Sequence, residues 1–129
     1  MTKAIRIHTH GGPEVMRWED GPTPEPGPGE VLVRHAAVGL NYIDVYFRTG
    51  LYKTQLPAVL GMEASGTVTG LGEGVTGLAV GDRVAYATGP IGAYAVERVI
   101  AADRVVKLPD GIDFQTAAAM MLQGMTAQY

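Results

Sequence analysis

The chain has 129 residues, of which 47% are hydrophobic and 18% charged, and its formal net charge is −3. A chain of this size buries a core as one domain, and its acidic balance argues against a general nucleic-acid binder, which needs a basic face. The absence of cysteine excludes disulfides, thiolate metal sites and a thiol nucleophile. Eighteen glycines and 8 prolines predict many turns between short elements rather than a helical bundle.

No apolar stretch approaches the ~18 residues that a membrane-spanning helix needs. The first residues, Met1 to Arg6, lack the apolar core of a signal peptide. We therefore expect a cytoplasmic protein that binds neither membrane nor nucleic acid.

The first third of the chain predicts three strands. Alternating apolar residues indicate a half-buried strand over 3–8, and a short second strand is expected over 15–19. Four prolines within residues 21–29 forbid pairing in a central strand and indicate an extended connection. Residues 31–38 are almost continuously apolar, which predicts a strand buried on both faces.

A helix is predicted over residues 41–48. Asn41 is a favoured N-cap residue, Asp44 follows three positions later, and Gly50 stands where a helix commonly ends in a left-handed residue. Tyr42 and Tyr46 are four residues apart and should share a face of this helix.

The remaining sequence predicts more short strands and then helix. Strand patterns occupy 64–71, 83–87, 93–100 and 104–108, with glycines between them. Asp113 is expected to cap a helix over 114–122, with an interruption at Gln123-Gly124 and a new helical turn from Met125. Together these elements predict a mainly β domain, a sandwich or partly open barrel with short helices.

Residues 72–77 match the G-x-G-x-x-G dinucleotide fingerprint, and Glu97 lies 20 residues beyond the last glycine. The fingerprint works only where the glycines open a helix whose N-terminal amides meet a pyrophosphate. Further glycines and a proline follow at once, so we predict a hairpin turn instead.

The chain offers no convincing metal or hydrolase motif. His8 and His10 lack a third ligand, His35 stands alone in an apolar strand, and Ser65 lacks the G-x-S-x-G elbow. We therefore predict no metal site.

Two other features can each be interpreted in two ways. The aromatic and amide groups at Asn41, Tyr42, Tyr46, Phe47 and Tyr52 are core packing or a ligand surface. The glycines around Glu63, in residues 61–66, mark a bulge or a close approach of a ligand.

Two segments, VGLNYID at 38–44 and GMEASG at 61–66, resemble the medium-chain dehydrogenase/reductase superfamily, most closely its quinone oxidoreductase (zeta-crystallin-like) branch. Further matching segments follow in order at 81–84, 92–95, 108–109 and 122–126, so the resemblance covers essentially the whole chain. It implies that residues 1–129 form a GroES-like catalytic domain, a partly open β-barrel. It also implies a Rossmann NADP-binding domain after Tyr129, which makes the chain the N-terminal part of a longer enzyme.

The resemblance also implies a zinc-independent chemistry. In the superfamily's zinc-dependent alcohol dehydrogenases, the positions of Asn41 and Met62 are a cysteine and a histidine that bind the catalytic zinc. An amide and a thioether are poor zinc ligands. The cysteine-rich structural zinc lobe would fall near residues 87–93, where this chain has no cysteine.

By resemblance, the intact enzyme transfers a hydride from NADPH to a quinone and is a homodimer when full length. The implied cofactor-binding residues at the nicotinamide end are Asn41, Ile43, Tyr46, Tyr52 and Thr126. Tyr46 and Tyr52 are the implied catalytic residues, as hydrogen-bond donors or as an aromatic slot. Two alternatives stay open: an NADPH-dependent reductase of enone or enal C=C bonds from the same superfamily, and a non-catalytic GroES-like structural or binding module.

Overall fold

A computed structural model describes the backbone of residues 1–128, and the side chains of all of these except residues 123 and 125–128. Its elements, in chain order, are β1 (Thr2–Ile7), β2 (Arg17–Gly21), β3 (Glu30–Gly39), α1 (Tyr42–Thr49), β4 (Ala58–Val59), β5 (Glu63–Leu71), β6 (Arg83–Ala87), β7 (Glu97–Ala101), β8 (Val106–Lys107) and α2 (Phe114–Gln128). The predicted mainly β class is confirmed.

The strands form two antiparallel sheets. One has three strands in the order β2-β1-β4, and the other has five in the order β7-β3-β5-β6-β8. The edge strands β7 and β8 do not pair with each other in this part of the chain, so the larger sheet stays open. Residues 93–96 join the two sheets, because Val96 donates to Lys3 of β1 while accepting from the backbone N–H of His35 in β3.

Two apolar clusters fill the space that the sheets enclose. The larger one packs valines of β3, β5 and β6 around Tyr86, which is fully buried. The smaller one lies on the three-stranded sheet and is built on Ile7 and Leu60, with Phe47 of α1 packed against it. Helix α1 is therefore fixed to the core by one face and presents its other face outward.

Three predicted strand boundaries are wrong, and one short strand was missed. The second strand begins at Arg17 and not at residue 15, because Pro13–Val15 form a 3₁₀ turn in which Met16 donates to Pro13. Residues 93–96 are not a strand of the larger sheet, since they bond to β1, so β7 begins at Glu97. The last strand is reduced to β8 because Ala102–Arg104 form another 3₁₀ turn. The short strand β4 was not predicted.

Two further predictions need correction. Strand β3 is not buried on both faces: Arg34, Ala36 and Val38 are exposed, because only one face of the second half of β3 lies on the core. Helix α2 is not interrupted at Gln123-Gly124 but runs from Phe114 to Gln128. One glycine costs a helix only about 1 kcal/mol, which its alanine-rich and methionine-rich neighbours offset.

Candidate functional site

Helix α1 has the ends that its sequence predicts. Asn41 has extended backbone angles and forms a capping box with Asp44, whose carboxylate accepts the Asn41 N–H at 3.0 Å. The helix stops at Gly50, which adopts the left-handed conformation with φ of 89°. A loop after β1 supports this end, since Gly11 and Arg48 exchange backbone and side-chain bonds of 3.0 and 3.2 Å and the His10 ring lies against Gly50.

Three tyrosines form a continuous aromatic surface on α1 and the loop after it. The ring centroids of Tyr42 and Tyr46 are 5.7 Å apart, and those of Tyr46 and Tyr52 are 5.4 Å apart. Phe47 supports this surface from the core side, with its ring 5.6 Å from that of Tyr52. We call Tyr42, Tyr46 and Tyr52 the tyrosine surface.

The tyrosine surface is open to solvent. Tyr42 is 76% exposed and Tyr52 is 45% exposed. Tyr52 projects from the loop after α1, and its backbone N–H donates to the carbonyl of Tyr46 at 3.1 Å, which holds the loop against the helix. Large aromatic side chains left in solvent and packed on each other are a common sign of a ligand or partner surface.

Asn41 and Glu63 form a buried pair beside this surface. Asn41 is 9% exposed and Glu63 is 1% exposed. The Asn41 side-chain amide donates to Glu63 Oε1 at 2.8 Å, and the backbone N–H of Leu122 in α2 donates to Glu63 Oε2 at 2.8 Å. The carboxylate thus connects the start of α1 with the middle of α2.

The structure brings four of the five predicted cofactor residues together. Asn41, Ile43 and Tyr46 lie on or at the start of α1, with Ile43 half-buried, and Tyr52 follows in the adjoining loop. Thr126 lies on the backbone of α2, and its side chain is outside the described residues.

A second buried pair lies on the inner side of α1. The hydroxyl of Tyr94 donates to Asp44 Oδ2 at 2.6 Å, and Asp44 is 3% exposed. Burial, and then the adjacent Asp44 carboxylate, raise the pKa of Tyr94 well above its usual value, so its hydroxyl stays a donor. Among the described residues, Asp44 Oδ1 has no hydrogen-bond partner.

Asp44 and Tyr94 also line a cavity of about 530 Å³ between the small sheet and β3. Its walls are mainly apolar and include Ile5, Trp18, Val38, Val45 and Leu60. Tyr46 and Tyr52 do not line it, so this cavity and the tyrosine surface are separate features.

His35 is a structural residue whose two ring nitrogens both have hydrogen-bond partners. Its Nδ1 lies 2.7 Å from the Ala95 carbonyl, which can only accept, so Nδ1 carries the proton and Nε2 accepts from the Tyr86 hydroxyl at 2.9 Å. Burial, with a smaller effect of Arg98, lowers the His35 pKa to about 4 although the Ala95 bond opposes the shift. The ring is therefore neutral at physiological pH.

The remaining motifs have structural roles. Residues 72–77 form a turn and not the start of a helix, as predicted, and a Cβ on Gly72 would lie 1.8 Å from the Gly27 carbonyl oxygen. His8 bonds to Glu19 at 2.7 Å, and the described residues include no group of three His, Asp or Glu that could hold a metal ion. Ser65 is buried and donates to the Phe114 carbonyl at 2.5 Å.

Among the described residues, neither helix has the length and apolar character that crossing a membrane requires.

The family model for the alcohol dehydrogenase GroES-like domain matches residues 27–110. The chain belongs to this family. Its GroES-like fold, with an open sheet, is thereby confirmed, as is the resemblance to the quinone oxidoreductases of the medium-chain dehydrogenase/reductase superfamily.

Several characterised proteins are similar over the whole GroES-like chain. It is 55% identical to a quinone oxidoreductase of Pseudomonas aeruginosa, covering 100% of this chain and 40% of that protein. A 2-haloacrylate reductase from a Burkholderia species is 42% identical with the same shares covered. This chain thus spans about 40% of the length of these relatives.

Two solved structures superimpose closely on the GroES-like chain. The quinone oxidoreductase of Pseudomonas syringae pv. Tomato gives a TM-score of 0.98 at 50% identity, covering 100% of this chain and 40% of that one. The Escherichia coli quinone oxidoreductase complexed with NADPH gives 0.96 at 43% identity, covering 98% and 39%.

The sequence did not reveal the roles of Glu63, Asp44 and Tyr94 in this GroES-like domain. The partners of Glu63 are 22 and 59 residues away, and Tyr94 is 50 residues from Asp44. The one available signal was the glycine-flanked Glu63. A Cβ on Gly61 would meet Tyr94, and a Cβ on Gly66 would lie 2.2 Å from the Arg34 carbonyl oxygen, where the pairing of β3 and β5 is irregular. The extra residue of this irregularity is Ala36 of β3, so residues 61–66 lie opposite a bulge and do not contain it. A close approach of a ligand to this segment stays a prediction.

Proposed function

We propose that the protein is the GroES-like catalytic domain of a zinc-independent NADPH:quinone oxidoreductase. The observation that carries this proposal is the solvent-facing tyrosine surface on α1, packed beside the buried Asn41–Glu63 pair. The rings are tilted to each other by 61° and 59°, and such a cluster can contact a planar aromatic substrate by both ring faces and ring edges. The names of the relatives support the same substrate class.

NADPH is the proposed cofactor, and it supplies the hydride when bound. The tyrosine rings and the Asn41 amide suit a planar ring that carries a carboxamide, and the E. coli relative has been solved with NADPH. The pyrophosphate needs helix N-terminal amides after a glycine-rich turn, and residues 72–77 are not such a site. We assign that part of the cofactor to a Rossmann domain following this one in the full-length protein.

Quinone reduction explains how the site works without zinc. Alcohol dehydrogenases must stabilise an alkoxide, a strong base that calls for a Lewis acid. A quinone that accepts a hydride becomes a hydroquinone anion, a much weaker base, for which fixed hydrogen-bond donors suffice. Asn41 and Met62 do not fit a catalytic zinc, because neither an amide nor a thioether is a preferred ligand and the Asn41 amide is bonded to Glu63.

We assign Asn41, Ile43, Tyr46, Tyr52 and Thr126 to the nicotinamide end of the site. Tyr46 and Tyr52 are the residues proposed to contact the reacting rings. The half-exposed Tyr52 ring, packed on both Tyr46 and Phe47, favours a packing role over proton or hydrogen-bond donation.

Substitutions at Tyr52 test the proposed quinone reduction and also whether Tyr52 acts by packing or by hydrogen-bond donation. With NADPH and a soluble quinone, Tyr52→Phe should leave kcat within about twofold, because the ring is kept. Tyr52→Ala should raise the KM for NADPH several-fold, because the packing is lost. Leu51→Ala, at an exposed residue of the same loop outside the tyrosine surface, is the matched control and should leave both constants within about twofold.

Two outcomes change the assignment of Tyr52. A fall in kcat of roughly tenfold or more for Tyr52→Phe makes the hydroxyl a catalytic donor, worth about 1.4 kcal/mol or greater. Unchanged kinetics in both variants removes Tyr52 from the site. A full-length protein that does not reduce quinones with NADPH refutes the proposed function.

A reductase of activated C=C bonds is the second candidate. The 2-haloacrylate reductase, 42% identical to this chain, is the observation that favours it. Comparing kcat/KM for a quinone with that for 2-chloroacrylate and an enal distinguishes the candidates: the quinone should exceed both by at least tenfold.

We further propose that the full-length protein is a cytoplasmic homodimer. The resemblance to quinone oxidoreductases supports this assembly. Sedimentation velocity of the full-length protein tests the assembly, and cell fractionation tests the location.

A further inference from the structure

Glu63 stands out because it is a carboxylate with 1% exposure at the junction of β5, α1 and α2. The ion pairs of the described residues do not include it. Burying a carboxylate is costly unless its oxygens are hydrogen-bonded, and here each oxygen accepts one bond of 2.8 Å. Core packing alone does not explain a buried carboxylate that is bonded both to Asn41 at the start of α1 and to Leu122 in α2.

The backbone of β3 and α2 closes one side of Glu63. Gly39 lies directly opposite it on β3, and a Cβ at that position would be 2.5 Å from Glu63 Oε1 and 2.5 Å from the Ala118 carbonyl oxygen of α2. Another side of Glu63 borders a cavity of about 330 Å³. The position of the carboxylate fixes where the Asn41 amide and the α2 backbone lie.

The bond to Glu63 determines the orientation of the Asn41 amide, because the two ends of an amide differ. An amide has one donor end and one acceptor end, and a carboxylate accepts only from the donor end. The Glu63 bond therefore fixes the nitrogen of Asn41 on the Glu63 side, and the oxygen is left to accept from the Asp44 backbone N–H in the capping box. At the same time Leu122 ties α2 to the same carboxylate, four residues before Thr126.

We propose that Glu63 is a positioning residue for the nicotinamide end of the cofactor site. It sets the orientation of the Asn41 amide, and it holds the α2 backbone that carries Thr126 at a fixed distance from α1. This inference rests on the proposed function, because it takes Asn41 and Thr126 as cofactor-binding residues.

Glu63→Gln in the full-length protein is the first test. The glutamine keeps the shape of the side chain but replaces one acceptor by a donor, so it can satisfy only one of the two N–H groups. We expect the dissociation constant for NADPH, measured by fluorescence titration, to rise roughly tenfold. Ser65→Ala is the matched control, because Ser65 anchors the other end of α2 from the same strand and contacts no proposed site residue. It should leave the constant within about twofold.

An exchange of the two partners tests the mechanism. In the double variant Asn41→Asp, Glu63→Gln, the glutamine can donate to the new carboxylate and still accept from Leu122, and aspartate is as good an N-cap as asparagine. We expect the double variant to bind NADPH several-fold more tightly than Glu63→Gln alone. With Asn41→Asp measured separately, the four proteins form a double-mutant cycle.

The outcomes separate the inference from the function on which it rests. If wild type binds NADPH and Glu63→Gln binds it equally well, or loses only thermal stability, Glu63 is structural and the inference is overturned. A double variant no better than the single one overturns it too. If wild-type full-length protein neither binds NADPH nor reduces a quinone, the proposed function itself fails.

Discussion

The substitution Tyr94→Phe removes a single hydroxyl group. We expect it to destabilise the domain more than the small size of that group suggests. The hydroxyl donates to Asp44 Oδ2 at 2.6 Å, and among the described residues the only other donor to that oxygen is the Asn41 N–H at 3.0 Å. Asp44 is 3% exposed, and its other oxygen has no partner among the described residues. The substitution leaves the ring and its packing in place, so the loss comes from the hydrogen bond.

The expected magnitude follows from the charge of the acceptor. A hydrogen bond to a charged group contributes about 1.5–3 kcal/mol to stability, against about 1 kcal/mol for a neutral pair. Asp44 is buried but borders the cavity of about 530 Å³, where water has room, so the loss should lie within this range and not at its upper end. We therefore expect Tyr94→Phe to lower the free energy of unfolding by about 2 kcal/mol.

Tyr86→Phe provides the matched comparison. The Tyr86 hydroxyl is also buried, but it donates at 2.9 Å to the neutral imidazole of His35. Its loss should cost about 1 kcal/mol. Equilibrium urea denaturation followed by circular dichroism measures both, and equal m-values confirm that stability itself changed. If Tyr94→Phe costs no more than Tyr86→Phe, the charge-assisted bond to Asp44 is not what stabilises this side of α1.

Three more outcomes are expected. His35 has a pKa of about 4 in the folded protein against 6.5 in the unfolded chain, so the unfolded chain takes up its proton first as the pH falls. Stability should therefore drop by up to about 3 kcal/mol between pH 6.5 and pH 4, and His35→Gln should reduce this slope in urea denaturation across pH. Gly66→Ala should prevent soluble expression because its Cβ would meet the Arg34 carbonyl oxygen, whereas Gly111→Ala, with nothing within 4 Å, should be tolerated. Dialysis of the full-length protein against a strong chelator should leave quinone turnover unchanged; stoichiometric zinc whose removal abolishes activity would contradict the assignment of Asn41 and Met62.

The sequence predicted those features whose determinants are close together in the chain. Asn41, Asp44 and Gly50 act within single turns, so α1 was predicted with both its caps. Local periodicity indicated only a sandwich or a barrel. The family resemblance then identified the GroES-like architecture.

Features that depend on distant partners were not predicted. Residues 93–96 have an apolar pattern suited to a strand, but β1, some 90 residues earlier in the chain, takes up their hydrogen bonds. Helix α2 continues through Gly124 although the local sequence favours a stop. The link from Asn41 through Glu63 to Leu122 is invisible to any short-range pattern, because its members come from three separate elements.

The loop after β1 has a practical consequence for anyone who exchanges domains between relatives. The family match begins at residue 27, which would leave out β1, β2 and the loop between them. That omitted segment supplies the central strand of the small sheet, and it holds the end of α1 through Gly11 and His10. A chimaera cut at residue 27 would keep α1 and the following loop, with all three residues of the tyrosine surface, but the segment that supports them would come from another protein. Swaps between relatives should therefore carry the first 26 residues along with the helix.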